Sequence, residues 1–146
     1  MKIVLAGAMA LALLAVGQAS AQSAKPDVIV IDKTGYSCKT CTPAFSVKAD
    51  GKAYPVKGAN FDAVAVRLAS NSATELRMKG PKVVVTITTT VSIDGRTATV
   101  DYNDSSGAKP VRGVAVARRV EGSAKGANPA SGSWQTVDTS GAKFSR

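Results

Sequence analysis

Lys82 to Asn103, KVVVTITTTVSIDGRTATVDYN, constrains this chain more than any other stretch. Side chains on a strand alternate between its two faces. In the first arm Val83, Val85, Ile87, Val91 and Ile93 share one parity, with Thr86, Thr88, Thr90 and Ser92 between them. In the second, Ala98, Val100 and Tyr102 alternate with Thr97, Thr99 and Asp101. β-Branched residues on both parities favour extended backbone over helix. Asp94-Gly95 supplies a tight turn, because glycine tolerates positive φ. The stretch therefore predicts a long β-hairpin with an apolar face and a hydroxyl face. A two-residue loop pairs Val91 with Ala98 and Ile87 with Tyr102. A four-residue loop, Ser92 to Gly95, pairs Val91 with Arg96 and Ile87 with Val100. A three-residue loop would set Val91 against Thr97 and mix the faces.

The amino-terminal residues predict export rather than fold. Met1-Lys2 is a positive start, Ile3 to Val16 an apolar run, and Ala19-Ser20-Ala21 a small-x-small cleavage site. This is the pattern of a secretory signal peptide over residues 1–21, with cleavage expected after Ala21 and a periplasmic or secreted destination. The domain expected to follow is β-rich and spans residues 22–121. Beyond residue 21 the leucines are Leu68 and Leu76, while valine is abundant, which suits sheet better than a helical bundle.

Basic residues number 19 against 10 acidic, a net charge of +9. They are scattered, so solvated faces and loose attachment to an anionic envelope surface are the expected consequences. Specific nucleic-acid binding would require a basic stripe interleaved with stacking aromatics, and one Trp, three Tyr and three Phe spread along the chain do not form one.

Taken in order, Asp27 to Asp32 reads as a first strand and Lys33 to Thr42 as a connection. Phe45 to Lys48 and Tyr54 to Val56 flank Asp50-Gly51, which predicts a second hairpin pairing Val47 with Tyr54 and Phe45 with Val56. Pro55 cannot donate to a ladder, so that arm is expected at an edge or bulge. Phe61 to Lys79 fits two strands, with Val64, Val66 and Leu68 on one face, a turn at Asn71-Ser72, and Leu76 and Met78 sharing a face. A helical stripe through Phe61, Val64, Ala65, Leu68, Ser72 and Leu76 is the alternative, weakened by Asn71-Ser72 in its middle. Val111 to Val120 is a last long strand, with Val114, Val116 and Val120 on one face and Ala115 and Ala117 on the other. Residues 122–146 open as a Gly/Ala/Ser-rich linker and continue into a strand-like Trp134 to Val137. They read as the start of a second unit or as a strand that folds back.

The chemistry available is narrow. The chain has no histidine, which excludes Ser-His-Asp and Cys-His catalysis and the commonest metal ligand. Cys38 and Cys41 are the two cysteines; in an exported protein the C-x-x-C spacing is expected as a structural disulfide, with a redox dithiol as the alternative. A zinc site would need two further ligands, and haem attachment a histidine where Thr42 stands. Asp101, Asn103 and Asp104 lack the ligand density of a calcium loop. Neither a metal nor another cofactor is expected, and no enzymatic activity. Trp134 is expected as a core anchor, with a ligand platform as the alternative.

Three motifs in order, D-G-K-x-Y-P-V-x-G (Asp50 to Gly58), D-G-[KR]-T-x-T-V (Asp94 to Val100) and S-G-x-W (Ser131 to Trp134), resemble a group of uncharacterised secreted bacterial β-rich proteins with tandem units. The resemblance covers Phe45 to Val137 and implies a β-rich unit, with no catalytic residue to transfer. S-G-x-W in that group opens each unit; here it stands near the end. Its G-x-W is also similar to the first-strand motif of lipocalins, small ligand-binding barrels.

Together these readings predict an all-β domain, an antiparallel meander of seven or eight strands forming a barrel or a strongly curled sheet. Two functions fit. One is a binding module for a small apolar or amphipathic molecule, lined by Val85, Ile87, Val100, Tyr102 and Trp134. The other is a structural or interaction module of the cell envelope, with a filled interior and an open sheet edge.

Overall fold

The computed structural model describes residues 25–57, 60–120 and 126–139. The signal peptide expected over residues 1–21, the segment 121–125 and the last residues, 140–146, lie outside them. Among the described residues ten strands form one antiparallel sheet: β1 (Asp27–Ile31), β2 (Tyr36–Cys38), β3 (Phe45–Val47), β4 (Ala53–Pro55), β5 (Ala63–Ala69), β6 (Ser72–Lys79), β7 (Lys82–Val91), β8 (Thr97–Asp104), β9 (Val111–Arg119) and β10 (Gly132–Asp138). Their order is β3-β2-β1-β10-β9-β8-β7-β6-β5-β4, and the sheet curls into a nearly closed barrel. The count exceeds seven or eight because Tyr36–Cys38, inside the stretch Lys33 to Thr42 expected as a connection, forms β2, and because β10 joins the same sheet.

The Val/Thr hairpin is β7–β8. Its register sets Val91 opposite Ala98 and Ile87 opposite Tyr102, the alignment of the two-residue loop. The ladder stops short of Ile93 and Arg96, however. Ser92 N–H donates to Thr97 O, Gly95 N–H closes back on Ser92 O, and Ile93 is fully exposed at 108%. Gly95 has φ +74°, the conformation that required glycine there. The apolar parity also fails at Val83. A bulge shifts the β6–β7 register between Arg77 and Met78, so Val84 and Val85 are both buried and Val83 faces out.

Residues 61–79 form two strands, β5 and β6, turning at Ser70-Asn71 rather than Asn71-Ser72, with Ala69 opposite Ser72. On β9 the alanines face in. Ala117 is buried, while Val114 is exposed.

The second expected hairpin does not form. Phe45 to Val47 pairs with Tyr36 to Cys38, and Ala53 to Pro55 pairs with Ala63 to Ala65. The Cys38–Cys41 bond folds the chain back so that Phe45 lies opposite Cys38 and stacks against Tyr36, with ring centroids 6.2 Å apart. β3 and β4 therefore end up on opposite sides of the seam where the barrel fails to close. The Asp50-Gly51 turn bridges that seam, with Gly51 N–H donating to Val66 O at 2.9 Å. Pro55 stands on the edge strand β4, where its missing N–H breaks no ladder.

β10 is inserted between β1 and β9, with Trp134 opposite both Asp27 and Arg119. β10 thus links β1 to the body of the sheet.

Candidate functional site

The inward parities of the strands meet in a single core that includes Ile31, Tyr36, Val64, Val66, Val91, Ala98, Ala117 and Trp134. At one end of the barrel this core is plugged. The loop before β10 crosses the opening, tied by Ala127 N–H to Ile31 O (2.8 Å), Asn128 Nδ2 to Ala69 O (2.8 Å) and Ile31 N–H to Ser131 Oγ (2.9 Å). Trp134 Nε1 donates to Ala130 O at 2.9 Å, so the indole is buried with its polar atom satisfied. Arg119 lies over the Trp134 ring at 4.3 Å. It donates Nε to Gly95 O at 2.8 Å, Nη1 to Ser131 O at 2.7 Å, and Nη2 to Pro129 O. Gly126, at φ +62°, begins this plug where a Cβ would run into Ile31 O and Ser131 Oγ.

Toward the other end the interior is not filled. A cavity of about 190 Å³ remains, with an apolar wall of Ile29, Ile87, Val100, Ala115, Ala117 and Trp134. Small side chains on adjacent strands leave this space: Ala115 lies opposite Val100, and Ala117 opposite Ala98. Polar groups interrupt the wall at Glu75, Arg77 and Thr89, and at Asp27 and Thr136 toward the mouth. The cavity is smaller than the roughly 300–1,000 Å³ of drug-sized ligand sites. It exceeds the roughly 150 Å³ that suffices for a benzene ring.

Glu75 is the unexpected member. It is buried at 4% exposure on the inward face of β6. Its Oε2 accepts from Tyr36 Oη at 3.0 Å and its Oε1 from Arg77 Nε at 2.6 Å. A buried carboxylate needs such partners, since an uncompensated one is costly. Burial, then the adjacent Glu75 charge and the hydrogen bond to it, push the Tyr36 hydroxyl well above its ordinary value. Arg77 also lies over the Phe61 ring at 5.0 Å, and its Nη2 approaches Cys41 Sγ at 3.5 Å. The Cys38–Cys41 disulfide is formed, and both cysteines border the cavity.

Of the residues expected to line a ligand site, Ile87, Val100 and Trp134 do so. Val85 is buried in the core beyond the cavity wall. Tyr102 is half-buried against the core and donates to Asp104 Oδ2 at 3.1 Å. Its neighbourhood on the outer surface is a shallow trough of about 490 Å³ formed by two rungs, Thr86–Asn103–Arg112 and Thr88–Asp101–Val114. Four of those six residues are exposed, and this trough encloses nothing.

Glu75 and Arg77 were absent from the expected site. The signal for them lay in β5. A tight turn near residue 71 puts Val64 and Val66 on the face shared by Arg77 and Glu75, not on that of Leu76 and Met78. Among the described residues no three of His, Cys, Asp and Glu come together as a metal site would require. Asp104, the calcium candidate, instead accepts from Ser106 N–H and Oγ. Burial opposes its ionisation, but these bonds and that from Tyr102 outweigh it and hold the carboxyl below its ordinary value.

Comparison with protein-family models, with curated proteins and with solved structures finds no match to this chain.

Proposed function

We propose that this protein is a non-catalytic binding module that holds one small apolar or amphipathic molecule inside its barrel. The observation that carries the reading is the cavity of about 190 Å³ walled by Ile29, Ile87, Val100, Ala115, Ala117 and Trp134. A void with an apolar wall forfeits contacts that a ligand of matching size restores. The export pattern of residues 1–21 and the resemblance to secreted β-rich proteins suit a periplasmic or extracellular carrier or sensor, and neither assigns it an activity.

The alternative, an envelope module joined through an open sheet edge, is disfavoured by the edges themselves. β3 and β4 are three residues long, and Pro55 blunts β4. Short and proline-bearing edges resist strand addition.

The test uses Trp134, the single tryptophan. Titration with a benzene-sized neutral probe such as benzyl alcohol is expected to change its fluorescence saturably. Ala117→Leu, which fills the space from β9, is expected to abolish the change while the protein stays folded. A probe response that survives Ala117→Leu, or no saturable response in the unaltered protein, would overturn the reading.

A further inference from the structure

The geometry points to a small organic carboxylate as the occupant of this cavity, its anionic head held by Arg77 and its apolar body lying toward Trp134. This rests on the binding reading above and names the ligand class within it.

A guanidinium carries five N–H groups. Arg77 uses Nε on Glu75 at 2.6 Å and directs Nη2 toward Cys41 Sγ at 3.5 Å, a weak acceptor in a disulfide. Among the described residues no other acceptor meets its side chain, so both Nη1 hydrogens and the second Nη2 hydrogen have no protein partner. The side chain is 21% exposed and borders the cavity. Its plane is held on one side by the Phe61 ring at 5.0 Å and its Nε edge is fixed by Glu75. The free edge is therefore pre-oriented. A planar fork with two parallel N–H bonds suits a carboxylate in particular.

Glu75 engages only the Nε edge of Arg77 and leaves the Nη edge to a ligand, although its charge opposes an anion there. Its two oxygens are engaged by Arg77 and by Tyr36 Oη, and it is buried. Asp27, the other carboxylate of the lining, is exposed, and its Oδ1 receives Thr40 Oγ1 at 3.5 Å. Water screens it far more than the interior screens Arg77. The size of the space limits the body of the ligand. It equals the volume of about six liquid waters, which admits a benzoate or a short branched acid and rejects a long acyl chain.

The experiment compares benzoate with benzyl alcohol, and pentanoate with pentanol, by NMR titration of the ¹⁵N-labelled full-length protein. Shifts at Ile87, Val100 and Ala117 report occupancy. The acids are expected to bind at least tenfold more tightly than the alcohols, and Arg77→Gln is expected to erase that preference. Arg77→Lys, which keeps the charge and loses the fork, is expected to retain only part of it. Equal affinity for acid and alcohol in the unaltered protein would overturn the carboxylate assignment and leave the cavity reading standing. So would an acid preference that survives Arg77→Gln. Failure of every probe to shift those residues would overturn both. The acid–alcohol comparison needs no variant, so it decides the matter even where Arg77→Gln does not fold.

Discussion

Each end of the barrel carries an arginine stacked on an aromatic ring, and the two arginines are used in opposite ways. At the plugged end Arg119 lies over Trp134 and donates to three backbone carbonyls, those of Gly95, Ser131 and Pro129. At the open end Arg77 lies over Phe61, pairs with one buried carboxylate and borders a cavity. Burial lowers the Arg119 guanidinium from its ordinary value, as expected of a cation enclosed by structure. The same pairing of residues can seal a barrel or leave it receptive. What differs is that backbone carbonyls engage all three nitrogens of Arg119, whereas Nη1 of Arg77 meets no acceptor among the described residues. The loop of residues 126–131 supplies those carbonyls at one end; the Cys38–Cys41 turn at the other offers only sulfur.

Trp134→Ala is expected to destabilise the fold by about 3–5 kcal/mol, as large-to-small changes of buried aromatics do. The chemical denaturation midpoint checks this. A loss below 1 kcal/mol would mean that the plugged end is not where the barrel is held.

Arg77→Ala is expected to cost about 3 kcal/mol, the low end for removing one partner of a buried pair, because Arg77 itself is partly exposed. Adding Glu75→Gln to it is expected to recover part of that loss, since no buried charge is then left alone. A double variant less stable than Arg77→Ala would contradict the pairing. Reduction of the Cys38–Cys41 bond, which closes a very short loop, is expected to cost about 2 kcal/mol. The effect should fall on the open end, seen as faster amide exchange in β2 and β3 while β8 to β10 stay protected.

Alkaline pH sharpens the contrast further. The Tyr36 hydroxyl is held above its ordinary 10.0 in the folded chain. Its contribution is therefore fully present below pH 10.0 and is lost as pH rises through the folded value. Tyr36→Phe is expected to flatten that alkaline decline in thermal melts; an unchanged decline would exonerate Tyr36. The smallest effect is expected on the outer face. Thr88→Val, which breaks only the 3.3 Å hydroxyl contact with Thr74, should shift stability by less than about 0.5 kcal/mol.

Much of this architecture was legible in the residues. The parity of Ile87 and Thr88 holds, with Ile87 lining the interior and Thr88 the outer trough. It was legible because alternation is a local property that register preserves across a ladder. Val83 and Ile93 escaped it for local reasons too, one at a bulge and one in a loop, where pairing no longer dictates the face. The partners of β3 and β4 were illegible in principle. Turn chemistry at Asp50-Gly51 marks where the chain bends, but not whether the flanking arms meet each other or bridge a seam. Glu75 and Arg77 were legible, although a charged pair on an inward face runs against the apolar parity of a core. Their position follows from Val64 and Val66 opposite them, and such local conflicts are where function is commonly found.

One end of the barrel is filled and the other holds a largely apolar space. Dry apolar cavities take up xenon, so diffraction from a xenon-pressurised crystal tests the claim directly. The expected result is one xenon among Ile87, Val100, Ala117 and Trp134 and none between Ile31, Val91 and Ala130. An interior free of xenon, or xenon confined to the outer trough beside Thr88 and Val114, would contradict it.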